Sequence, residues 1–154
     1  MERIRDLAIE FQNAIYRAKA DNRFKNDQMF RCFPRRCCGV ASELLARYLL
    51  NTFPENSIRV TYKSGTFYEE DQNHAWLEIN DCCVADITIN QFENRQPPLY
   101  FCEKLYVGPY IKYFDLFEIN YEEQCNNYYP LDDTPVRGYL TRKQLYDIIC
   151  EYLT

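Results

Sequence analysis

His74-Ala75-Trp76-Leu77-Glu78-Ile79-Asn80-Asp81-Cys82-Cys83-Val84-Ala85-Asp86-Ile87-Thr88-Ile89 is the stretch on which the fold turns. Its first half alternates, Asn80-Asp81 supplies turn chemistry, and an apolar run comes back, so the segment reads as a β-hairpin. Ala75, Leu77 and Ile79 share one face of the outgoing strand, and Cys83, Ala85, Ile87 and Ile89 are the matching core face of the return. His74, Trp76 and Glu78 lie on the other face, as do Val84, Asp86 and Thr88. A two-residue loop would pair Ile79 with Cys82 and carry Asp86 into the apolar set. A three-residue loop sets Asp86 opposite His74, or opposite Trp76 on a neighbouring diagonal, so an odd loop or a bulge is expected.

Working outward, Ile58, Val60 and Tyr62 alternate with Arg59, Thr61 and Lys63, which makes a strand that Ser64-Gly65 turns or bulges before Thr66-Phe67-Tyr68. Upstream, Ala41, Leu44, Leu45, Tyr48 and Leu49 form the buried stripe of a helix over Cys38–Leu50, ended by Asn51-Thr52-Phe53-Pro54. Residues 22–36 read as a loop held by Phe24, Met29, Phe30 and Phe33. Ile4, Leu7, Ala8, Phe11, Ile15 and Ala18 define a first helix over 3–20. Downstream, 90–98 is loop, 99–101 and 104–107 are short strand candidates, and 113–119 is a possible last strand. Residues 120–139, polar and rich in Tyr, read as loop. Thr141-Arg142-Lys143-Gln144 fits a capping box opening a closing helix that buries Leu145, Ile148, Ile149 and Leu153. The expected architecture is a single α+β domain over 1–154, with N-terminal helices packed on an antiparallel sheet and a C-terminal helix.

Composition bounds what such a domain does. With 154 residues, 47% of them apolar and 16% aromatic, the chain is long enough for a real core and too apolar to be disordered. A formal charge of −5 argues against a nucleic-acid partner, although Arg31, Arg35 and Arg36 make a local basic patch just before Cys37. The eight cysteines lack C-x2-C spacing; the close pairs, Cys37/Cys38 and Cys82/Cys83, are adjacent, which suits zinc poorly. Residues 1–20 lack a signal-peptide core, and no apolar run reaches about 18 residues. The expectation is a cytoplasmic protein with reduced thiols, no membrane span, and no metal or cofactor.

The chemistry then narrows to one histidine. A thiol at a helix N-terminus sits in the field of unpaired backbone N–H groups, which favours the thiolate. Such a thiol needs a base, and the base needs an acceptor to orient its other nitrogen. His74 is the only imidazole available, Asp86 shares its face, and Cys37 and Cys38 both lie at the start of the second helix. Helical periodicity does not choose between the two cysteines. A lone histidine at a strand start is commonly just hydrogen-bonded, and it is the neighbours that favour chemistry here.

Those residues carry a resemblance. Cys38-Gly39-x-Ala41-Ser42-x-Leu44-Leu45, His74-Ala75-Trp76-Leu77-Glu78 and Asp86-Ile87-Thr88, in that order, resemble the transglutaminase-like branch of the papain-like cysteine-triad superfamily. With Phe33-Pro34 and Gln91-Phe92 added, the pattern looks like small bacterial proteins of that group, over about residues 33–92. The resemblance implies a papain-like, transglutaminase-like fold with Cys38 as nucleophile, His74 as base and Asp86 as orienter. Aligning on Ala41 would substitute Cys37, whereas Phe33-Pro34 and Gly39 favour Cys38. Papain-type enzymes place a glutamine six residues before the nucleophile; that position is Cys32 here, leaving Gln28, Gln72 and Asn73 as candidates for the second oxyanion donor. Trp76 and Thr88 could line the site, though packing explains both. The implied activity is hydrolysis of an amide in a protein or peptide substrate through an acyl-enzyme. Transglutaminase-type acyl transfer, or a non-catalytic interaction module on the same fold, are its rivals. Specificity would reside in loops 22–36, 64–73 and 120–139.

Overall fold

A computed structural model of the chain describes residues 1–153. It is a mixed helical and sheet structure. The first helix, α1 (Glu2–Ala20), buries Ile4, Ala8, Phe11, Ala14, Ile15 and Ala18 along one stripe. The second, α2 (Cys38–Thr52), buries Val40, Ala41, Leu44, Leu45 and Leu49. Tyr48, expected in its buried stripe, is only half-buried and stacks on Phe11 at 5.2 Å. Five strands follow: β1 (Val60–Phe67), β2 (Gln72–Ile79), β3 (Cys83–Asp86), β4 (Tyr106–Pro109) and β5 (Glu118–Gln124). They form one antiparallel sheet in the order β4-β3-β2-β1-β5. A closing helix, α3 (Arg142–Glu151), starts on the expected capping box: Thr141 Oγ1 accepts from Gln144 N–H at 3.1 Å, and Gln144 Oε1 accepts from Thr141 N–H at 2.9 Å. Among the described residues, no helix is long and apolar enough to cross a membrane.

The β2–β3 register is the one that keeps Asp86 off the helix-covered face. Ile79 pairs with Cys83, Glu78 with Val84 and Leu77 with Ala85, which leaves a three-residue connection, Asn80–Cys82. Asn80 and Asp81 both take positive φ, 53° and 57°, a conformation that Asn and Asp tolerate better than other side chains. Gly65 marks a shift of register between β1 and β5. A Cβ there would stand 2.7 Å from the Glu118 carbonyl oxygen, so only glycine lets the two backbones approach.

The sheet is covered on both sides. One face, with Val60, Leu77, Ile79, Ala85 and Ile87, packs against the helices in a mainly aliphatic core. The other face carries Trp76 and Val84 under Phe67, Phe92, Leu99, Phe114 and Phe117, a second and mainly aromatic core supplied by the end of β1 and the segments between strands. Ile89, expected with the helix-facing set, belongs to this second core because the strand ends at Asp86 and Ile89–Phe92 is a 3-10 turn.

Two further expectations are corrected. Residues 99–101 are not a strand; the Leu99 and Tyr100 amides donate back to the Gln96 carbonyl in a turn, and Tyr113 Oη donates to the Leu99 carbonyl at 2.7 Å. The last strand lies later than 113–119. Lys112–Leu116 is a 3-10 turn that buries Phe114, and the strand spans Glu118–Gln124, partly inside the expected loop. Every residue of β5 is exposed, so it has no apolar alternation to reveal it.

Candidate active site

Loop 22–36 delivers the start of α2 to the sheet, and one carboxylate holds the loop in shape. Asp27 is 1% exposed; its Oδ1 accepts from the Met29 and Phe30 N–H groups at 3.0 and 2.7 Å, and its Oδ2 from Leu140 N–H at 2.8 Å. Lys19 Nζ donates to the Phe33 carbonyl at 2.7 Å. Phe24, Phe30 and Phe33 sink into the helix-facing core. Arg36 takes φ 68°, then Cys37 caps α2 and Cys38 opens it. The first bond within the helix is Ala41 N–H to Cys37 C=O, 2.8 Å. The amides of Cys38, Gly39 and Val40 precede it and are the donors that a first helical turn leaves free. Gly39 has a steric reason to be glycine: a Cβ would lie 3.0 Å from Tyr62 Oη.

The structure brings Cys38, His74 and Asp86 together. Helix α2 packs chiefly on β2, and Ser42 Oγ donates to the Ala75 carbonyl at 3.5 Å. His74 Nε2 lies 2.5 Å from Asp86 Oδ2, with both side chains fully buried. Asp86 Oδ1 accepts from Thr88 N–H at 3.0 Å and from its hydroxyl at 3.4 Å. Thr88 therefore holds the aspartate from behind rather than lining the cleft. Trp76, Phe92 and Phe117 surround the imidazole, with ring centroids 5.7, 5.0 and 5.2 Å away.

The ionisation of the group follows from this geometry. For His74, burial opposes protonation. The Asp86 charge and hydrogen bond, with the Cys38 thiol, outweigh it and raise the imidazole to about 9. Burial likewise opposes ionisation of Cys38, yet the hydrogen bond and charge of His74, helped by the Ala75 backbone, bring its thiol below the ordinary range. Cys37 goes the other way: burial, with Cys38 next in line, pushes its thiol far up. Cys37 is 1% exposed and belongs to the helix-facing core, whereas Cys38 is half-buried and lines a cleft. The doublet that periodicity left open is thus divided by environment.

That cleft, about 520 Å³, is lined by Cys38, Gln72, Asn73, Gln91 and Phe92, with Arg35, Arg36, Arg95 and Asp71 around them. Gln91 was not a candidate in the sequence, where it simply follows the strand. It stands on the 3-10 turn after β3, and its Nε2 donates to His74 Nδ1 at 2.9 Å. As oriented, this fits a neutral imidazole protonated at Nε2; an imidazolium needs the amide turned to offer Oε1. Gln91-Phe92 is part of the sequence resemblance, but nothing there gives Gln91 a role, because its partner is seventeen residues away. Of the oxyanion candidates, Gln72 and Asn73 line the cleft. Gln28 does not: its backbone bonds to Gly138, and its side chain lies against that glycine. Gln72 Oε1 accepts from Arg95, and Asn73 Oδ1 accepts from Thr66 Oγ1, so each keeps its oxygen engaged elsewhere.

A second cleft of about 460 Å³ lies among Glu43, Arg47, Tyr62, Tyr121 and Cys125. Its only thiol is raised by burial to about 11 and has no imidazole beside it. All eight cysteines are free. Among the described residues, no three His, Cys, Asp or Glu side chains are grouped to hold a metal ion. No protein-family model, curated protein or solved structure matches the chain.

Proposed function

We propose that the chain is a cysteine-dependent amide hydrolase of the papain-like, transglutaminase-like type, with Cys38 as nucleophile, His74 as acid–base and Asp86 as orienter. One observation carries the reading: a helix-start thiol whose ionisation is eased by an imidazole that is itself held, through its far nitrogen, by a buried carboxylate. The chain order of cysteine on a helix, histidine on a strand and aspartate on the next strand agrees with it.

In this mechanism the Cys38 thiolate attacks the amide carbonyl carbon. The oxygen gains the electron pair and is met by the free amides at the start of α2. The C–N bond breaks as His74 gives its proton to the leaving amine. Water then attacks the thioester, losing a proton to His74, and the acid departs as Cys38 is restored. Asp86 keeps Nε2 engaged throughout.

The test uses a library of capped peptidyl aminomethylcoumarin amides, read by release of the fluorophore. Turnover by the wild type and by Cys37→Ala, with none by Cys38→Ala, is the expected result. Turnover surviving in Cys38→Ala would refute the assignment. Added hydroxylamine separates hydrolysis from acyl transfer, since an enzyme evolved for amine acceptors turns over faster and yields mainly hydroxamate.

A further inference from the structure

The molecule is acidic, yet the mouth of the Cys38 cleft is not. Arg35, Arg36 and Arg95 line it against a single lining carboxylate, Asp71. Arg95 is already engaged, donating to Glu70 at 3.0 Å and to Gln72 at 3.0 Å. Arg35 and Arg36 are exposed, and among the described residues neither has a carboxylate within ion-pair distance. Arg31, the third member of the sequence patch, does not reach the cleft. Two guanidiniums without partners among the described residues therefore stand two and three residues before the thiol. Arg36 is fixed there by a left-handed backbone that an unconstrained loop would avoid.

Resting on the reading of Cys38 as the nucleophile, the geometry points to an acyl donor that is an acidic peptide segment, with an Asp or Glu carboxylate beside the scissile amide held by Arg35 and Arg36. Guanidinium forks match carboxylates in shape as well as charge. A long polyanion suits the molecule less well. The cleft holds about 520 Å³, its rim includes Asp71 and the Arg95-bound Glu70, and the whole chain carries −5. An isolated negative charge is drawn in, while an extended one meets repulsion on all sides.

Two alkylating reagents of equal chemistry and different charge test this without a known substrate. In each, sulfur displaces iodide; iodoacetate brings a carboxylate and iodoacetamide does not. The ratio of the two rates at Cys38, resolved by peptide mapping at one pH, cancels the thiolate fraction. At low salt that ratio should exceed the ratio at exposed Cys82, Cys102 and Cys150 by about fivefold, the scale of two unscreened charges at such distances. It should fall to theirs in the Arg35→Gln, Arg36→Asn double variant, in which Asn tolerates the positive φ. It should also fall in 0.5 M salt, where the screening length is about 4 Å. A ratio at Cys38 no higher than at the exposed thiols, or one unmoved by the double variant, overturns the inference. Slow iodoacetamide labelling of Cys38 at pH 6, no faster than the other thiols, would remove the nucleophile reading and this inference with it. A capped peptide with one Glu among alanines should protect Cys38 from iodoacetamide where the same peptide with Lys in that place does not. Better protection by a thymidine dinucleotide of equal charge would reassign the cleft and refute the peptide assignment.

Discussion

Cysteines stand side by side twice in this chain, and the two pairs live differently. Cys82 and Cys83 sit at the tip of the β2–β3 hairpin with sulfurs 3.2 Å apart, in water on one side. Burial and then Cys82 itself push the Cys83 thiol up, so its neighbour does not help it ionise. Cys37 and Cys38 are the cap and the first residue of α2, and there the backbone turns one into the core and the other toward an imidazole. Adjacency in sequence decides nothing about reactivity; the charged partner across the sheet does.

The largest break in that contrast should come from His74→Ala. It leaves Asp86 buried with only Thr88 as partner, which costs on the order of 3–5 kcal/mol of stability. It also removes the group that lowers the Cys38 thiol. Iodoacetamide labelling of Cys38 at pH 6 should then fall by about 10²-fold or more, as peptide mapping would report. Asp86→Asn keeps the shape and isolates the charge. It should lower the imidazole, raise the thiol and shift the labelling curve of Cys38 toward that of Cys83.

Next in size is the pH dependence. The His74 charge is present below about 9 and lost as pH rises through that value. The thiolate is present above the lowered midpoint of Cys38 and lost as pH falls through it. Turnover should therefore occupy a window that opens on the acid side of ordinary thiol titration and closes near pH 9. Cys83 labelling should simply rise toward alkaline pH. A turnover profile that only rises with pH would remove the ion pair from the mechanism.

Smaller effects sharpen the picture. Gln91→Ala removes one hydrogen bond from a ring that retains Asp86. A loss of about fivefold in turnover is expected, matching about 1 kcal/mol for a neutral hydrogen bond. Cys37→Ala should leave the acid midpoint of Cys38 in place and cost only about 1 kcal/mol in a urea melt, as a small buried group lost from the core. If instead it moved that midpoint strongly, the two sulfurs would be coupled and the division between them would fail.

What could be read beforehand tracks what repeats. The helices announced themselves because burial there follows a 3.6-residue period, and the hairpin because alternation ran into Asn80-Asp81. The pairing of His74 with Asp86 was legible for a related reason: one histidine leaves one choice, and a three-residue loop settles the face of Asp86. The last strand escaped because Glu118–Gln124 pairs only with β1 and buries nothing, so its ladder is made by backbone groups that every residue shares. The second core was also underestimated. Trp76 and Val84 opposite an already apolar face were its signal, since a strand apolar on both sides needs two covers. The place of Gln91 and Arg95 in the cleft was not legible for a third reason: each reaches it only after the chain has doubled back past β3.

The connection Asn80–Cys82 has a consequence for how this protein can change over generations. A residue lost inside the connection can be absorbed as a tighter two-residue turn with Ile79 still opposite Cys83, whereas a one-residue slip of the pairing beyond it would send Asp86 under α2 and bring Ala85 toward His74. At this point of the chain, inheritance must preserve a pairing rather than a letter.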